Sequence, residues 1–276
     1  MVDGHTGLGD ILSEVRAQLW SMRELGLDRL ALKVPAPPKQ AQHSPFNGPR
    51  DRHAPIKDEF QPIIKPVPRA KPAVAVTQAA GFHLPEVGNA SLEDIRQELG
   101  DCKRCRLCQD RTNIVFGEGY DQARLVFVGE WPAQDEDMSG RPLAGTTPGS
   151  AGEMFTNILK AINISRREVY LTSVVKCRPP ANRKPDKEEI DTCRVFLEKQ
   201  LAVIKPQLVC ALGQLAAQVL LNSSGRLTQL RGKFYQVGPF QVLPTYYPAY
   251  LLTNPKMKRP VWEDVQLLAR VYDPKS

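Results

Sequence analysis

Residues 124–129 have the sequence Arg124-Leu-Val-Phe-Val-Gly129, a short and nearly continuous apolar run that closes on a glycine. A run of this length is typical of a strand buried on both faces of a parallel sheet. Three further runs share this character: Val169–Val175, Gln207–Gly213 and Gln241–Tyr246. Helical patterns alternate with the strands at 152–162, 187–204 and 213–221. The alternation predicts an α/β fold, a three-layer αβα arrangement with a four-stranded parallel sheet between helices.

The first third of the chain has a different composition. Apolar residues recur near the helical period between residues 8 and 32, which predicts an N-terminal amphipathic helix within residues 1–33. That helix either packs on the main domain or docks a protein partner. Ten prolines lie between Pro35 and Pro72, so residues 34–90 are predicted to form a flexible, Pro-rich linker. The main domain is predicted to cover residues 91–276.

Composition excludes some classes of protein. The 276 residues contain no apolar run of about 18 residues, the length that a membrane-spanning helix needs. The start, Met1-Val-Asp-Gly-His5, has neither the basic nor the apolar segment of a secretory signal. Six cysteines in such a chain indicate a reducing compartment. We therefore predict a cytoplasmic protein without a membrane partner.

The net charge of +7 is unevenly distributed along the chain. Residues 1–100 carry 12 basic and 12 acidic side chains, so the entire positive excess lies in residues 101–276. A basic excess of this kind favours a polyanionic partner such as nucleic acid. The chain has four histidines, and the last of them is His83. Any chemistry in the basic part therefore proceeds without an imidazole.

Unusual segments follow three of the predicted strands. Residues 129–137 contain four acidic side chains, residues 176–183 are rich in proline and basic side chains, and residues 246–252 are rich in tyrosine and leucine. Ligands of open parallel sheets bind beyond the carboxyl ends of the strands. A solvated turn explains any one of these segments alone, whereas three of them at one sheet edge favour a binding site.

The cysteines form two pairs. Cys102 and Cys105 have the Cys-x-x-Cys spacing, and Cys177 and Cys193 are separated by fifteen residues. Two pairs supply four soft ligands, enough for a zinc ion or a [4Fe–4S] cluster, and spacing alone does not choose between them. Cys108 repeats the interval of the first pair but has no further cysteine close behind it, so we interpret it as a bystander.

Four segments of the chain carry specific motifs. Cys102-x-x-Cys105 is followed by Phe116-Gly-Glu-Gly119, and Gly129-Glu-x-Pro132 is followed by Asp135-Glu-Asp137 and Gly140-Arg-Pro142. Val174-Val-Lys-Cys-Arg-Pro-Pro180 then precedes Cys193, and Leu230-Arg-Gly232 precedes Thr245-Tyr-x-Pro-Ala-Tyr-Leu-Leu252. Together they resemble the iron–sulfur (family 4) uracil-DNA glycosylases. The resemblance covers about residues 99–271 and not residues 1–90.

The resemblance implies a fold, a cofactor and a reaction. The fold would be a four-stranded parallel sheet between helices. Cys102, Cys105, Cys177 and Cys193 would hold a structural [4Fe–4S] cluster. The reaction would be hydrolysis of the N-glycosidic bond of a uracil flipped out of DNA, in base-excision repair. The partner would be single- or double-stranded DNA, bound by a monomer.

Four residues depart from the family pattern around the base. Trp131 replaces a small residue and narrows the pocket or stacks on a base, and Leu143 replaces the aromatic residue that stacks on uracil. Ser173 replaces the asparagine that recognises the uracil edge, and its hydroxyl offers fewer hydrogen bonds than an amide. Tyr247 replaces the histidine that donates a hydrogen bond to the leaving base. Glu136 is retained beside the base, so the predicted base-binding set is Trp131, Glu136, Leu143 and Ser173.

Three functions fit these motifs. The first is a DNA glycosylase that removes uracil or another damaged base, with Glu130 and Tyr247 as its catalytic residues. The second is a catalytically impaired DNA-binding protein that keeps the cluster and the groove. The third, an iron–sulfur electron carrier, is supported only by the number of cysteines. Losing one preorganised hydrogen-bond donor costs about 10²–10³ in rate, so uracil release should be slow or the pocket should accept another base.

Overall fold

The computed structural model describes residues 76–78, 82–145 and 147–272, with the side chains of residues 76–78 left undescribed. The predicted helix within residues 1–33 and most of the predicted linker at 34–90 lie outside the described residues. None of the helices in the described part is long and apolar enough to cross a membrane.

The described residues form one seven-stranded sheet. Its strands are β1 (Val76–Gln78), β2 (Glu118–Gly119), β3 (Leu125–Gly129), β4 (Tyr170–Ser173), β5 (Leu208–Leu212), β6 (Phe234–Val237) and β7 (Phe240–Thr245). Their order across the sheet is β1-β6-β7-β5-β3-β4-β2. Strands β7, β5, β3 and β4 run parallel in the centre, and β6 and β2 are antiparallel to their neighbours β7 and β4. The short strand β1 pairs in parallel with β6 at one edge.

The α/β fold predicted from sequence is confirmed, but the predicted sheet of four strands is too small. The four predicted strands are the central β3, β4, β5 and β7. Sequence periodicity misses β1, β2 and β6 because they have only two to four residues each and lie at or next to the sheet edges. Edge strands carry a weaker apolar signal than strands buried on both faces.

Eight α-helices accompany the sheet in the described part of the chain. They are α1 (Leu92–Leu99), α2 (Gln134–Ser139), α3 (Ala151–Ala161), α4 (Lys187–Ile204), α5 (Gln214–Leu221), α6 (Leu227–Leu230), α7 (Pro248–Thr253) and α8 (Lys258–Val271). The three helical patterns found in the sequence correspond to α3, α4 and α5.

Two apolar clusters lie on opposite faces of the sheet. Val126 and Val128 of β3 point into a cluster with residues of α4, α5 and α6. Leu125 and Phe127, which alternate with them, point into a second cluster with residues of α3 and α8. Successive side chains of a strand face opposite sides, so a buried β3 requires helices on both faces. This produces the three layers that the sequence predicts.

The folded domain begins before residue 91. The rings of Phe82 and Phe240 meet edge to face with their centroids 6.3 Å apart, and Leu84 packs on the same apolar cluster. Strand β1 also lies within the stretch predicted as a linker. These residues follow the last of the ten clustered prolines, so a sequence boundary drawn at the Ser91 cap of α1 is too late.

Candidate active site at the carboxyl ends of the strands

A pocket lies where β3, β4 and β7 end. It is lined by Phe127, Gly129, Trp131, Glu136, Pro142, Leu143, Leu171, Thr172, Ser173, Leu212 and Tyr247. Five of the six residues predicted to bind or cleave at the base are in this lining: Trp131, Glu136, Leu143, Ser173 and Tyr247. The sixth, Glu130, is not among the lining residues.

Glu136 of α2 is a buried carboxylate held by backbone donors. Its Oε2 accepts a hydrogen bond from the Ala133 N–H at 2.7 Å, and its Oε1 accepts one from the Leu143 N–H at 2.7 Å. Burial raises the pKa of Glu136, and the two N–H donors oppose that rise. Leu143 has a left-handed backbone, with φ of 47°. The carboxylate therefore holds the strained turn at Leu143 against the pocket.

Tyr247 spans the pocket. Its hydroxyl donates to Glu136 Oε1 at 3.3 Å, and its ring covers Gly129, where an added Cβ would lie 3.3 Å from ring atom Cε2. Burial and the Glu136 charge raise the pKa of Tyr247 well above its ordinary value. The space left for the centre of a water molecule is about 10 Å³, about what one water needs. A flipped base therefore enters only when a lining side chain rotates aside.

Ser173 ends β4 and faces the same pocket. Its hydroxyl donates to the Val175 carbonyl at 2.8 Å, and the side chain is buried. A hydroxyl carries a single hydrogen to donate, so Ser173 presents only oxygen lone pairs to the pocket.

Glu130 follows β3 and its carboxylate lies against the start of α5. Its Oε1 accepts a hydrogen bond from the Leu215 N–H at 2.7 Å. Burial raises the pKa of Glu130, and the N–H donors of α5 and the charge of Lys184 oppose that rise. A carboxylate at a helix N-terminus satisfies free N–H groups and stabilises the helix. Glu130 thus ties the end of β3 to α5.

This contact depends on Gly213. Its φ is +100°, and an added Cβ would lie 2.4 Å from Glu130 Cδ. We expect Gly213→Ala to lower the free energy of unfolding by about 2–5 kcal/mol, from backbone strain and loss of the Glu130 contact. Chemical denaturation measures the change.

The matched control for Gly213 is Gly238→Ala. Gly238 also has a positive φ, of +51°, but no atom lies within 4 Å of its added Cβ. This variant should lose only about 1–2 kcal/mol. Equal losses in the two variants would show that the Glu130 contact adds nothing to the stability of the domain.

Sequence reasoning missed Lys176, which is completely buried behind the pocket. Its ammonium donates to Thr172 Oγ1 at 2.5 Å, the Ser173 carbonyl at 2.8 Å and Gln200 Oε1 at 2.7 Å. Burial lowers the pKa of Lys176 to about 7, and the nearby Cys193 and Cys177 oppose that shift when their side chains are ionised. The available signal was a lysine placed directly after an apolar strand. Lys176 links the end of β4 to the cysteines.

Asp264 of α8 was also missed. Both of its oxygens accept from Arg231, at 2.8 and 3.0 Å, and Oδ2 also accepts from the Thr245 hydroxyl at 2.6 Å. Burial raises the pKa of Asp264 to about 6, although Thr245 and Arg231 act in the opposite direction. The available sequence signal was an aspartate among apolar residues at helical spacing, Val261, Val265 and Leu268. The contact fixes the end of β7, two residues before Tyr247.

Arg111 links the two predicted pairs of metal ligands, because it donates both to the Cys102 carbonyl and to Cys177 Sγ. Burial, followed by the charge of Cys193, raises the pKa of Cys177 to about 12. Burial also raises the pKa of Cys193 to about 11, with smaller contributions from Cys105 and Cys102. The charges of the first pair of cysteines therefore affect the pKa values of both thiols in the second pair. Cys108 contributes to the raised pKa of Cys105 but to none of the other raised cysteine pKa values.

N–H donors surround these sulfurs. The Lys176 N–H donates to Cys193 Sγ at 3.3 Å, Arg111 Nη1 to Cys177 Sγ at 3.5 Å, and Arg104 Nη1 to Cys102 Sγ at 3.3 Å. Such donors stabilise thiolates, so the set suits a thiolate-bound group. Within the described ranges, no three His, Cys, Asp or Glu side chains are arranged to hold a single metal ion.

Comparison with known proteins assigns the chain to a family with this fold class. The model of the uracil DNA glycosylase superfamily matches residues 116–266, more than half of the chain. The chain is 40% identical over 183 residues to the Type-4 uracil-DNA glycosylase of Sulfurisphaera tokodaii, covering 63% of this chain and 81% of that protein. It is 36% identical over 194 residues to the Type-4 enzyme of Archaeoglobus fulgidus, covering 67% and 96%. The chain belongs to the uracil-DNA glycosylase superfamily.

Proposed function

We propose that this chain is a DNA glycosylase of base-excision repair that hydrolyses the N-glycosidic bond of uracil or another damaged base. The observation that carries this conclusion is the convergence of Trp131, Glu136, Leu143, Ser173 and Tyr247 on one pocket at the carboxyl edge of the sheet. Their positions in the sequence span more than a hundred residues. Membership of the uracil-DNA glycosylase superfamily supports the reaction.

The chemistry requires an extruded base and a stabilised sugar cation. Extrusion costs a few kcal/mol and least for unpaired bases, and the basic side chains of residues 101–276 would offset it through phosphate contacts. We propose that Glu130 stabilises the positive sugar or positions the attacking water. We propose that Tyr247, once it leaves Glu136, donates a hydrogen bond to the departing base.

We expect slow uracil release. The Ser173 and Tyr247 hydroxyls already donate to Val175 and Glu136, so the departing uracil anion lacks preorganised donors. The rate should be about 10²–10³-fold below that of the Archaeoglobus fulgidus relative under the same conditions. Single-turnover release from single- and double-stranded oligonucleotides measures it, and the single strand should react faster because its base needs no unpairing.

A second function is favoured by the ring of Tyr247, which fills the space of a flipped base. The chain would then bind DNA without cleaving it. Retained DNA binding with no release from a panel of modified bases would establish this second function. A clear product that disappears in Glu130→Gln would exclude it.

We propose that Cys102, Cys105, Cys177 and Cys193 hold a [4Fe–4S] cluster. The effect of the first thiol pair on the pKa values of the second, and the N–H donors to three of the sulfurs, support this assignment. When bound, the cluster would supply cross-linking rather than redox chemistry, because it would join the segment before β2 to the segments after β4.

The rest of the chain is also part of this hypothesis. We propose that residues 1–33 form an amphipathic helix that docks on the domain or on a protein partner, and that a Pro-rich linker joins it to the domain ending at 276. We propose a monomer that acts in the reducing cytoplasm, which the six free thiols support.

A further inference from the structure

The polar side chains of the pocket are arranged as acceptors. Ser173 donates its hydrogen to the Val175 carbonyl, and Tyr247 donates to Glu136. The Thr172 hydroxyl contacts Gln200 and Lys176 behind the pocket. What faces the cavity is then a buried carboxylate and hydroxyl lone pairs. Uracil presents two carbonyl oxygens to such a site, and these need donors.

Trp131 is the remaining polar side chain of the lining. Its indole N–H has no hydrogen-bond partner among the described residues. One indole N–H cannot satisfy two carbonyl oxygens on opposite sides of a uracil N3–H. The described lining therefore matches uracil poorly.

An entering base also has to replace Tyr247 as a partner of Glu136. The pocket has no room for a base while the Tyr247 ring covers Gly129. When the ring rotates, Glu136 loses its hydroxyl donor and stays buried. Because only the Ala133 and Leu143 N–H groups then offset its buried charge, the site favours a base that offers Glu136 further N–H groups or a positive charge.

The apolar part of the lining suits a flat cation. Trp131 and Phe127 both line the pocket with Glu136. The face of an aromatic ring attracts cations, and tryptophan does so most strongly. A planar cation that stacks on Trp131 and donates to Glu136 uses both features of this site.

Building on the proposed glycosylase activity, we propose that the preferred substrate is a cationic N-alkylated base with an exocyclic amino group, of which N3-methylcytosine is the pyrimidine form. The amino group donates to Glu136, and the ring charge is balanced by the carboxylate and the aromatic faces. Alkylation at N3 blocks base pairing, which lowers the cost of extrusion.

For such a substrate, the lack of hydrogen-bond donors to the departing base does not slow its release. When the C1′–N bond breaks, its electron pair moves to the ring nitrogen and cancels the positive charge, so the base leaves neutral. Water adds its oxygen to C1′ and releases one proton to solvent. Uracil instead leaves as an anion beside the Glu136 carboxylate, where the indole N–H of Trp131 is the free side-chain donor in the described lining.

The test compares three single-stranded oligonucleotides that differ at one position, which carries N3-methylcytosine, uracil or unmodified cytosine. Chromatography of the released base and alkaline cleavage of the abasic strand are the two readouts. We expect kcat/KM for N3-methylcytosine to exceed that for uracil by at least about tenfold, with no release of cytosine. Faster uracil release would overturn the substrate assignment while supporting the glycosylase activity. Release of neither base would overturn both.

Glu136→Gln separates recognition of charge from folding, because glutamine keeps the shape and one acceptor oxygen. The ratio of N3-methylcytosine to uracil release should fall by at least about tenfold. An equal fall for both bases would assign Glu136 only to holding Ala133 and Leu143, and would refute its role in selecting a cation. Tyr247→Phe, which keeps the ring but frees Glu136, should leave the preference for the cation intact.

Discussion

The double variant Ser173→Asn with Tyr247→His should release uracil at least about 100-fold faster than the wild-type chain. Asparagine places a donor and an acceptor side by side at the end of β4, where Ser173 now bonds to Val175. Histidine supplies an N–H for the leaving anion and is shorter than tyrosine. The gains of the two substitutions need not multiply, since the groups act on one transition state.

The two substitutions are needed together for a steric reason. Ser173 is buried, and the neighbouring Tyr247 ring leaves space for about one water. Ser173→Asn alone overfills the site and should lower stability by about 1–3 kcal/mol. Removing the tyrosine ring provides the room.

Tyr247→Phe is the matched control for the double variant. It removes the hydroxyl but keeps the ring over Gly129, so uracil release should not rise. Single-turnover rates on one uracil oligonucleotide, with thermal melting of each variant, make the comparison. If the folded double variant gains nothing, Trp131 rather than the missing donors limits the entry of uracil.

Cys177→Ala should remove the iron and lower the melting temperature by about 10 °C or more. Cys177 is buried four residues after the end of β4, and Arg111 contacts both its sulfur and the Cys102 carbonyl. Losing a metal site belongs to the changes that cost more than about 4 kcal/mol, and in a domain of this size each kcal/mol shifts the melting temperature by about 2–4 °C. Iron analysis of anaerobic preparations and calorimetry measure the two effects.

Cys108→Ala is the control within the same segment. Cys108 repeats the spacing of Cys102 and Cys105. Among the raised cysteine pKa values, however, it contributes only to that of Cys105. This variant should keep its full iron content and its melting temperature. A Cys177→Ala protein with full iron and unchanged melting would remove Cys177 from the proposed ligand set, and iron loss in Cys108→Ala would add Cys108 to it.

Sequence periodicity predicted the central strands because β-branched, aromatic and other apolar residues are frequent in each of them. It failed at β6 and at the start of the domain, where a few residues acquire order only by pairing with a distant partner. Strand β1 pairs with β6 across more than 150 residues. The local amino-acid composition does not predict a pairing between such distant segments.

Motif spacing identified most of the pocket but not what its side chains do there. Glu130 follows β3 and was predicted to be catalytic, and only the structure shows that its carboxylate binds an N–H of α5 that lies 85 residues away. Lys176 occurs inside a recognised motif, but its burial depends on Gln200 of α4. The direction of a side chain at a strand end depends on the hydrogen-bond partners that neighbouring helices and strands place there.

The sequence by itself determined the αβα class, the sheet edge that carries the pocket and the four cysteines of the proposed ligand set, because strand character and motif order are local properties. Only the tertiary structure decided that Tyr247 reaches Glu136 across 111 residues of chain, and that Ser173 donates to Val175. Hydrogen-bond polarity in a pocket depends on which donors meet which acceptors after packing. That polarity, rather than the list of residues, determines which base the site accepts.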